Sequence, residues 1–252
     1  MNGRAVSNLL GYTLMFGIIL TATVTVSVIA VDQLETVREN EQLNNAERGF
    51  FLVGQNINEI QDNRAAVRSG ELDLNDGNIG ISSGSNIRIQ IDDVSGPTDD
   101  YEETLPMRAL VYGLEDSRVA YESSAIFRGD NDNVVTQQGP NFVCTDDTAI
   151  VSVVTLQGRT GRQLGSGTVG VRATERTSRL RFPQNQRGTN SMQGESTVTI
   201  DVGGAQFTDG WVRSLEEDDN GWERVGSTTQ FQCENVDTYY VRQTVVDIAF
   251  TR

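Results

Sequence analysis

A chain of 252 residues with no histidine has few routes to covalent chemistry, and all 20 of its basic residues are arginine. Without histidine, the Ser-His-Asp triad and histidine-ligated zinc or iron sites are excluded, and two cysteines cannot build a four-thiolate zinc site. Without lysine, P-loop and Schiff-base mechanisms are excluded as well. Gly165-Ser166-Gly167-Thr168-Val169-Gly170 matches GxGxxG. A dinucleotide fold requires that motif to leave a strand, open a helix and meet an acidic residue about 20 positions on. Here Val169 and Val171 continue an alternating pattern, and 187–190 read Arg-Gly-Thr-Asn, so the motif reads as a glycine-rich hairpin. Carboxylate pairs can run glycoside hydrolysis. Glu102-Glu103 and Glu216-Glu217-Asp218-Asp219, however, sit in polar turn clusters and read as solvated loops. Asp130-Asn131-Asp132-Asn133 opens like a calcium loop but lacks the required Gly and distal Glu. Trp211, Trp222, Tyr239 and Tyr240 have the faces to stack on sugars, yet aromatics this sparse read as core or rim. The expectation is a non-enzyme with no catalytic residue, no metal and no cofactor.

The charge balance points the same way. There are 35 Asp and Glu, for a net charge of −15, and every acid lies at or beyond Asp32. Such a surface repels nucleic acid, which needs basic patches, so no nucleic-acid partner is expected. Two readings stay open: an ordinary acidic, highly soluble domain, or adaptation to high salt, where short screening lengths tolerate dense carboxylates. The Lys-free, Asp-rich composition resembles that of extremely halophilic archaea. Cys144 and Cys233 also leave two readings. In an oxidising exterior one disulfide closing their long loop would add about 4 kcal/mol in the chain-entropy model; otherwise they are two buried free thiols.

The elements that would carry such a chain begin at the N-terminus. Residues 9–31 contain no charge. At about 1.5 Å per helical residue this run spans roughly 34 Å, enough to cross a bilayer core of about 30 Å. No small-residue cleavage pattern follows Val31; the next residues are Asp32-Gln33-Leu34-Glu35, so a secretory signal is disfavoured. Arg4 before the run and acids after it place the N-terminus in the cytoplasm and the remainder outside the cell. Gly11, Gly17, Ala22 and Ala30 are small enough to let other helices approach. Thr13, Thr21, Thr23, Thr25 and Ser27 have hydroxyls for their own i−4 carbonyls or for a neighbouring helix.

Arg4-Ala5-Val6-Ser7-Asn8-Leu9-Leu10-Gly11 resembles the leader junction of archaeal, particularly haloarchaeal, type IV pilin-like proteins. Asn8 stands where that family often has Pro, and Leu10 where bacterial pilins carry Glu. The resemblance covers about the first 30 residues and the stalk that continues them. It implies cleavage by a prepilin peptidase between Ala5 and Val6, with Arg4 in the recognised leader. It also implies partners: membrane lipid before assembly, then copies of the chain or other pilin-like subunits in a surface filament or a secretion or adhesion machine.

Beyond Asp32 the helical signal continues. Leu43, Ala46, Phe50, Val53, Ile57, Ile60 and Val67 fall at spacings of 3, 4, 3, 4, 3 and 7, with Leu34 and Val37 extending the seam upstream. Glu39, Glu41, Glu47, Gln55, Glu59 and Asp62 lie opposite. Gly70 is the expected stop, after Arg64 and Arg68. Past Gly70 the pattern turns to alternation. Strands are expected at 79–81, 87–91, 110–114, 118–127, 150–156, 167–174, 179–182, 196–202, 222–225 and 239–250. The expected fold is α+β: a leader (1–5), a long transmembrane and amphipathic α-helix (6–70), and an extracellular antiparallel, sandwich-like all-β head (71–252). The expected function is a pilin-like structural subunit. The alternative is a permanently anchored exterior β-domain that binds a ligand or surface partner.

Overall fold

A computed structural model describes residues 3–93, 101–130, 133–159, 161–164, 167–183, 196–217 and 221–251; for 3–10, 29, 32, 93, 161–164 and 217 it describes the backbone alone. Helix α1 (Gly3–Gln61) opens the chain. The strands β1 (Val67–Asp73), β2 (Asn78–Ile81), β3 (Asn86–Asp93), β4 (Tyr101–Pro106), β5 (Ala109–Leu114), β6 (Ser117–Glu122), β7 (Ala125–Gly129), β8 (Val134–Gln138) and β9 (Val143–Cys144) follow. After them come β10 (Thr148–Gln157), β11 (Gly161–Leu164), β12 (Thr168–Phe182), β13 (Ser196–Asp201), helix α2 (Thr208–Glu217), β14 (Glu223–Arg224), β15 (Gln230–Val236) and β16 (Thr238–Thr251). The chain divides into two compact units, 1–42 and 43–252.

The first unit is helical. The second holds three sheets, ordered β1-β12-β16-β10-β9, β11-β2-β5-β6-β7-β8 and β14-β15-β13-β3-β4. Every pairing among the described residues is antiparallel except β10 with β16, which run parallel from Thr148↔Thr238 to Gln157↔Asp247. That pair needs a long crossover, and everything from β11 to β15 supplies it. The middle of the six-stranded sheet, β5 to β7, is buried largely on both faces, by simple alternation. Leu110, Tyr112, Val119, Tyr121 and Ile126 enter one core with α1. Ala109, Ala120, Ala125 and Phe127 enter the other with α2 and the third sheet.

Several expectations need correction. Helix α1 ends at Gln61, not near Gly70. Asn63 adopts the left-handed conformation (φ 58°). Its N–H donates to Ile60 O (3.0 Å) and that of Arg64 to Glu59 O (2.9 Å), a Schellman cap with Asn at C′. Val67 and Gly70 therefore lie on β1 rather than on the helix. The expected 118–127 strand is two strands, because Ser123 and Ser124 turn the chain with φ of 45° and 75°. The segments 167–174 and 179–182 are one strand, β12, bulged at Glu175/Thr177. The GxGxxG segment is not a hairpin: β11 pairs with β2, whereas β12 pairs with β1 and β16, so it crosses between sheets. Gly165 and Ser166 themselves lie outside the described residues. Helix α2 falls where no element was expected.

Candidate functional site

The surface that stands out lies on α1. From Tyr12 to Val37 its described large apolar side chains, among them Tyr12, Leu14, Phe16, Ile18, Val24, Val28 and Val31, are roughly half or more exposed. Leu34 and Val37, which continue the seam, are 69% and 59% exposed. Each such side chain gains about 1.5–3 kcal/mol on full burial, so this surface calls for a cover. Residues 11–61 include a stretch long and apolar enough to cross a membrane, with mean hydropathy 2.4 in its best window.

One face of this helix is graded by residue size. The row Thr13, Gly17, Thr21, Thr25 and the adjacent row Leu14, Ile18, Ala22, Val26 enclose a shallow groove. Both rows repeat every four residues, so their members stack along one face. Nothing lies within 4 Å of where a Cβ would stand on Gly11 or Gly17. Ala22 and Ala30 are likewise exposed. Of the two roles open to the hydroxyls, the chain itself satisfies the local one. Thr21 donates to Gly17 O, Thr23 to Ile19 O, Thr25 to Thr21 O and Ser27 to Thr23 O, all at 2.8–2.9 Å. Arg4, Ala5 and Val6 lie on the α1 backbone, their side chains outside the described residues.

Within the second unit the same helix is enclosed. Leu43, Ala46, Phe50, Val53, Ile57 and Ile60 are buried in one core, and Phe51 packs against its edge. Val67, expected to complete the seam, is 37% exposed because it belongs to β1. The polar side is tied rather than free. Arg128 Nη1 donates to Asn44 Oδ1 (2.7 Å) and pairs with Glu47 Oε2 (3.0 Å). Arg68 pairs with Glu59. Buried Gln61 donates to Ser152 O (3.0 Å) and accepts from Ser124 Oγ (3.3 Å). Gly54 brings the helix against the sheet: a Cβ there would stand 3.3 Å from Ile126 and 3.4 Å from Tyr121. The seam spacing showed which face would be buried. Nothing local marked Gly54, Gln61 or Arg128, whose partners come from distant strands.

The other candidates resolve into structural roles. Cys144 and Cys233 form a disulfide across 89 residues, with Cα atoms 5.8 Å apart. Glu102 pairs with Arg88 (2.7 Å), Glu103 with Arg181, and Glu216 with Arg224 (2.6 Å). Tyr101 donates to Glu103 Oε2 (2.5 Å); burial pushes its hydroxyl above the usual phenol range, against the pull of Arg181. Asp218 and Asp219 lie outside the described residues, as do Asn131 and Asp132. Asp130 Oδ1 accepts from Asn133 N (2.7 Å). Trp211, Trp222 and Tyr239 are buried in the core with Phe127 and Phe142, while Tyr240 is half-buried. The carboxylate that sequence reading missed is Glu122, fully buried at the end of β6. It accepts from Gln206 N (3.1 Å), Phe207 N (3.4 Å) and Trp211 Nε1 (3.0 Å), at the start of α2.

The chain belongs to the family of unknown function DUF7289, whose model matches residues 4–250. No curated protein and no solved structure matches it.

Proposed function

We propose that this chain is a type IV pilin-like structural subunit of an archaeal surface filament, or of a related secretion or adhesion machine, with no catalytic role. One observation carries the reading. A single helix buries its seam from Leu43 to Ile60 and leaves Leu34, Val37 and the apolar surface before them without cover. Lipid accounts for 9–31. It does not account for Leu34 and Val37, which stand among Asp32, Glu35 and Glu39, where a bilayer interior is unfavourable. A neighbouring helix with the same seam suits them.

In this reading a prepilin peptidase cuts between Ala5 and Val6. The helix waits in the membrane with Arg4 on the cytoplasmic side and is then drawn into a helical filament core. The Cys144–Cys233 disulfide supports an oxidising exterior for the β-rich unit. The acidic, lysine-free composition supports a halophilic archaeal source.

Mass spectrometry of the native N-terminus and a Val37→Asp variant test the reading together. The expected mature chain begins at Val6. The variant is expected to keep membrane retention and the melting of the β-rich unit while losing incorporation into filaments. An intact Met1, with neither the unsubstituted chain nor the variant entering filaments, would leave a permanently anchored exterior module instead.

A further inference from the structure

The six-stranded sheet carries a pocket unlike the rest of this acidic surface. It is a cavity of about 290 Å³ with Arg118, Ser82, Ser83 and Gln206 on its walls and Ile81 and Val111 among its apolar lining; among the described residues no carboxylate lines it. Arg118 lies on β6 between two glycines, Gly113 on one neighbouring strand and Gly129 on the other, so no cross-strand side chain competes for its guanidinium. Among the described residues the Arg118 side chain has no ion pair or hydrogen bond. This sets it apart from Arg88, Arg128, Arg181 and Arg224, each held by a glutamate.

The other polar groups are donors in waiting. Ser82 Oγ accepts from Ala109 N (2.8 Å), which leaves its O–H to donate inward. The Gln206 backbone N–H is spent on Glu122 (3.1 Å), which anchors this residue, while its side-chain amide has no partner among the described residues. Ser83 is exposed at the rim.

We propose that this pocket binds a small ligand through a single carboxylate, with Arg118 as the charged anchor and Ser82 and Gln206 as neutral donors. A guanidinium matches a carboxylate with two parallel hydrogen bonds. One cation with neutral helpers balances a monoanion and leaves a dianionic phosphate under-compensated. Ile81 and Val111 suit a carbon skeleton, which an inorganic anion lacks. The cavity lies at the small end of ligand sites, the scale of one sugar or amino acid. The net charge of −15 repels anions at long range, but molar salt shortens that repulsion to about 3 Å without removing donors in direct contact. The pocket does not depend on the assembly reading.

The test is a nuclear magnetic resonance titration of the full chain in detergent micelles at molar KCl. Glucuronate and N-acetylalanine present the same carboxylate on a sugar and on a peptide end; glucose and N-acetylalaninamide are their neutral counterparts. The expected result is saturable perturbation of the Arg118 Nε–H and of the Gln206 amide by at least one carboxylate, with its neutral counterpart silent. Which carboxylate binds more tightly identifies the source. Arg118→Gln should weaken that binding about tenfold or more with unchanged circular dichroism and melting. Gln206→Ala, at an exposed side chain, should weaken it less and serves should Arg118→Gln fail to fold. Saturation by neither carboxylate, undiminished binding in the foldable variants, or equal binding of sulfate would overturn the proposal.

Discussion

At the scale of single residues, what matters is which polar groups are committed. Glu122 is heavily used: a buried carboxylate satisfying two backbone N–H groups ahead of α2 and the indole N–H of Trp211 within it. Glu122→Ala should leave these donors unpaired. A loss of about 3 kcal/mol in chemical unfolding is expected, with Glu122→Gln losing less because it keeps an acceptor. Asp201 makes a different prediction. Its partial burial raises the pKa, but Gly203 N (2.9 Å), Thr229 Oγ1 (2.7 Å), Gln230 and the Arg88 charge outweigh that, and the net shift is downward. A carboxylate with a depressed folded pKa stabilises fully above its unfolded value near 3.9 and loses that contribution as pH falls through the folded value. Asp201→Asn should therefore lower stability at neutrality, where the carboxylate contributes fully, and the difference from the unsubstituted chain should shrink below about pH 4 as the carboxylate protonates.

At the scale of elements, α1 serves two environments with one periodicity. Where its seam meets the β-rich unit, deleting a side chain opens a cavity. Phe50→Ala should cost about 3–5 kcal/mol in unfolding of that unit. Leu34→Ala, 69% exposed, should leave this unfolding unchanged and reduce assembly alone. The contrast between the two variants, read by thermal melting and by filament yield, separates packing within the β-rich unit from the assembly role proposed above. The end of the helix makes its own prediction. Asn63 holds a left-handed conformation that costs most residues about 1–2 kcal/mol. Asn63→Gly should be neutral or slightly stabilising, and Asn63→Val should destabilise and broaden the connection into β1.

At the scale of the whole chain, the disulfide and the charge set the conditions of stability. The loop closed by Cys144 and Cys233 is long, so replacing both cysteines with serine should lower unfolding free energy by about 4 kcal/mol, read by denaturant titration under non-reducing conditions. The acidic surface predicts stability rising with KCl as carboxylate repulsion is screened. Full stability in dilute buffer would reduce the halophilic reading to a coincidence of composition.

The amino-acid sequence by itself determined the division between one long helix and a β-rich remainder, because period and hydropathy are local properties. It also determined which helical face would be buried from Leu43 to Ile60, since the 3–4 spacing leaves one face apolar. Its strand positions were legible wherever alternation was clean, as at β2, β3, β5 and β10. It failed where a neighbour in space overrides local preference. The end of α1 is instead a local miss: Asn63 rather than Gly70 takes the left-handed C′ position and closes the cap onto Ile60 O and Glu59 O. Ser123 and Ser124 hold left-handed turns that their residue types do not announce, with Ser123 Oγ accepting from Val154 N (3.0 Å) across the core. Helix α2 forms where Glu122, 86 residues before Thr208, supplies acceptors, and its Trp211 is held by Phe127 and Phe142. The parallel pairing of β10 and β16, the union of Cys144 with Cys233 and the isolation of Arg118 between two glycines are likewise relations between distant segments. Only the tertiary structure decides them, because no local pattern encodes which strand comes to lie beside which.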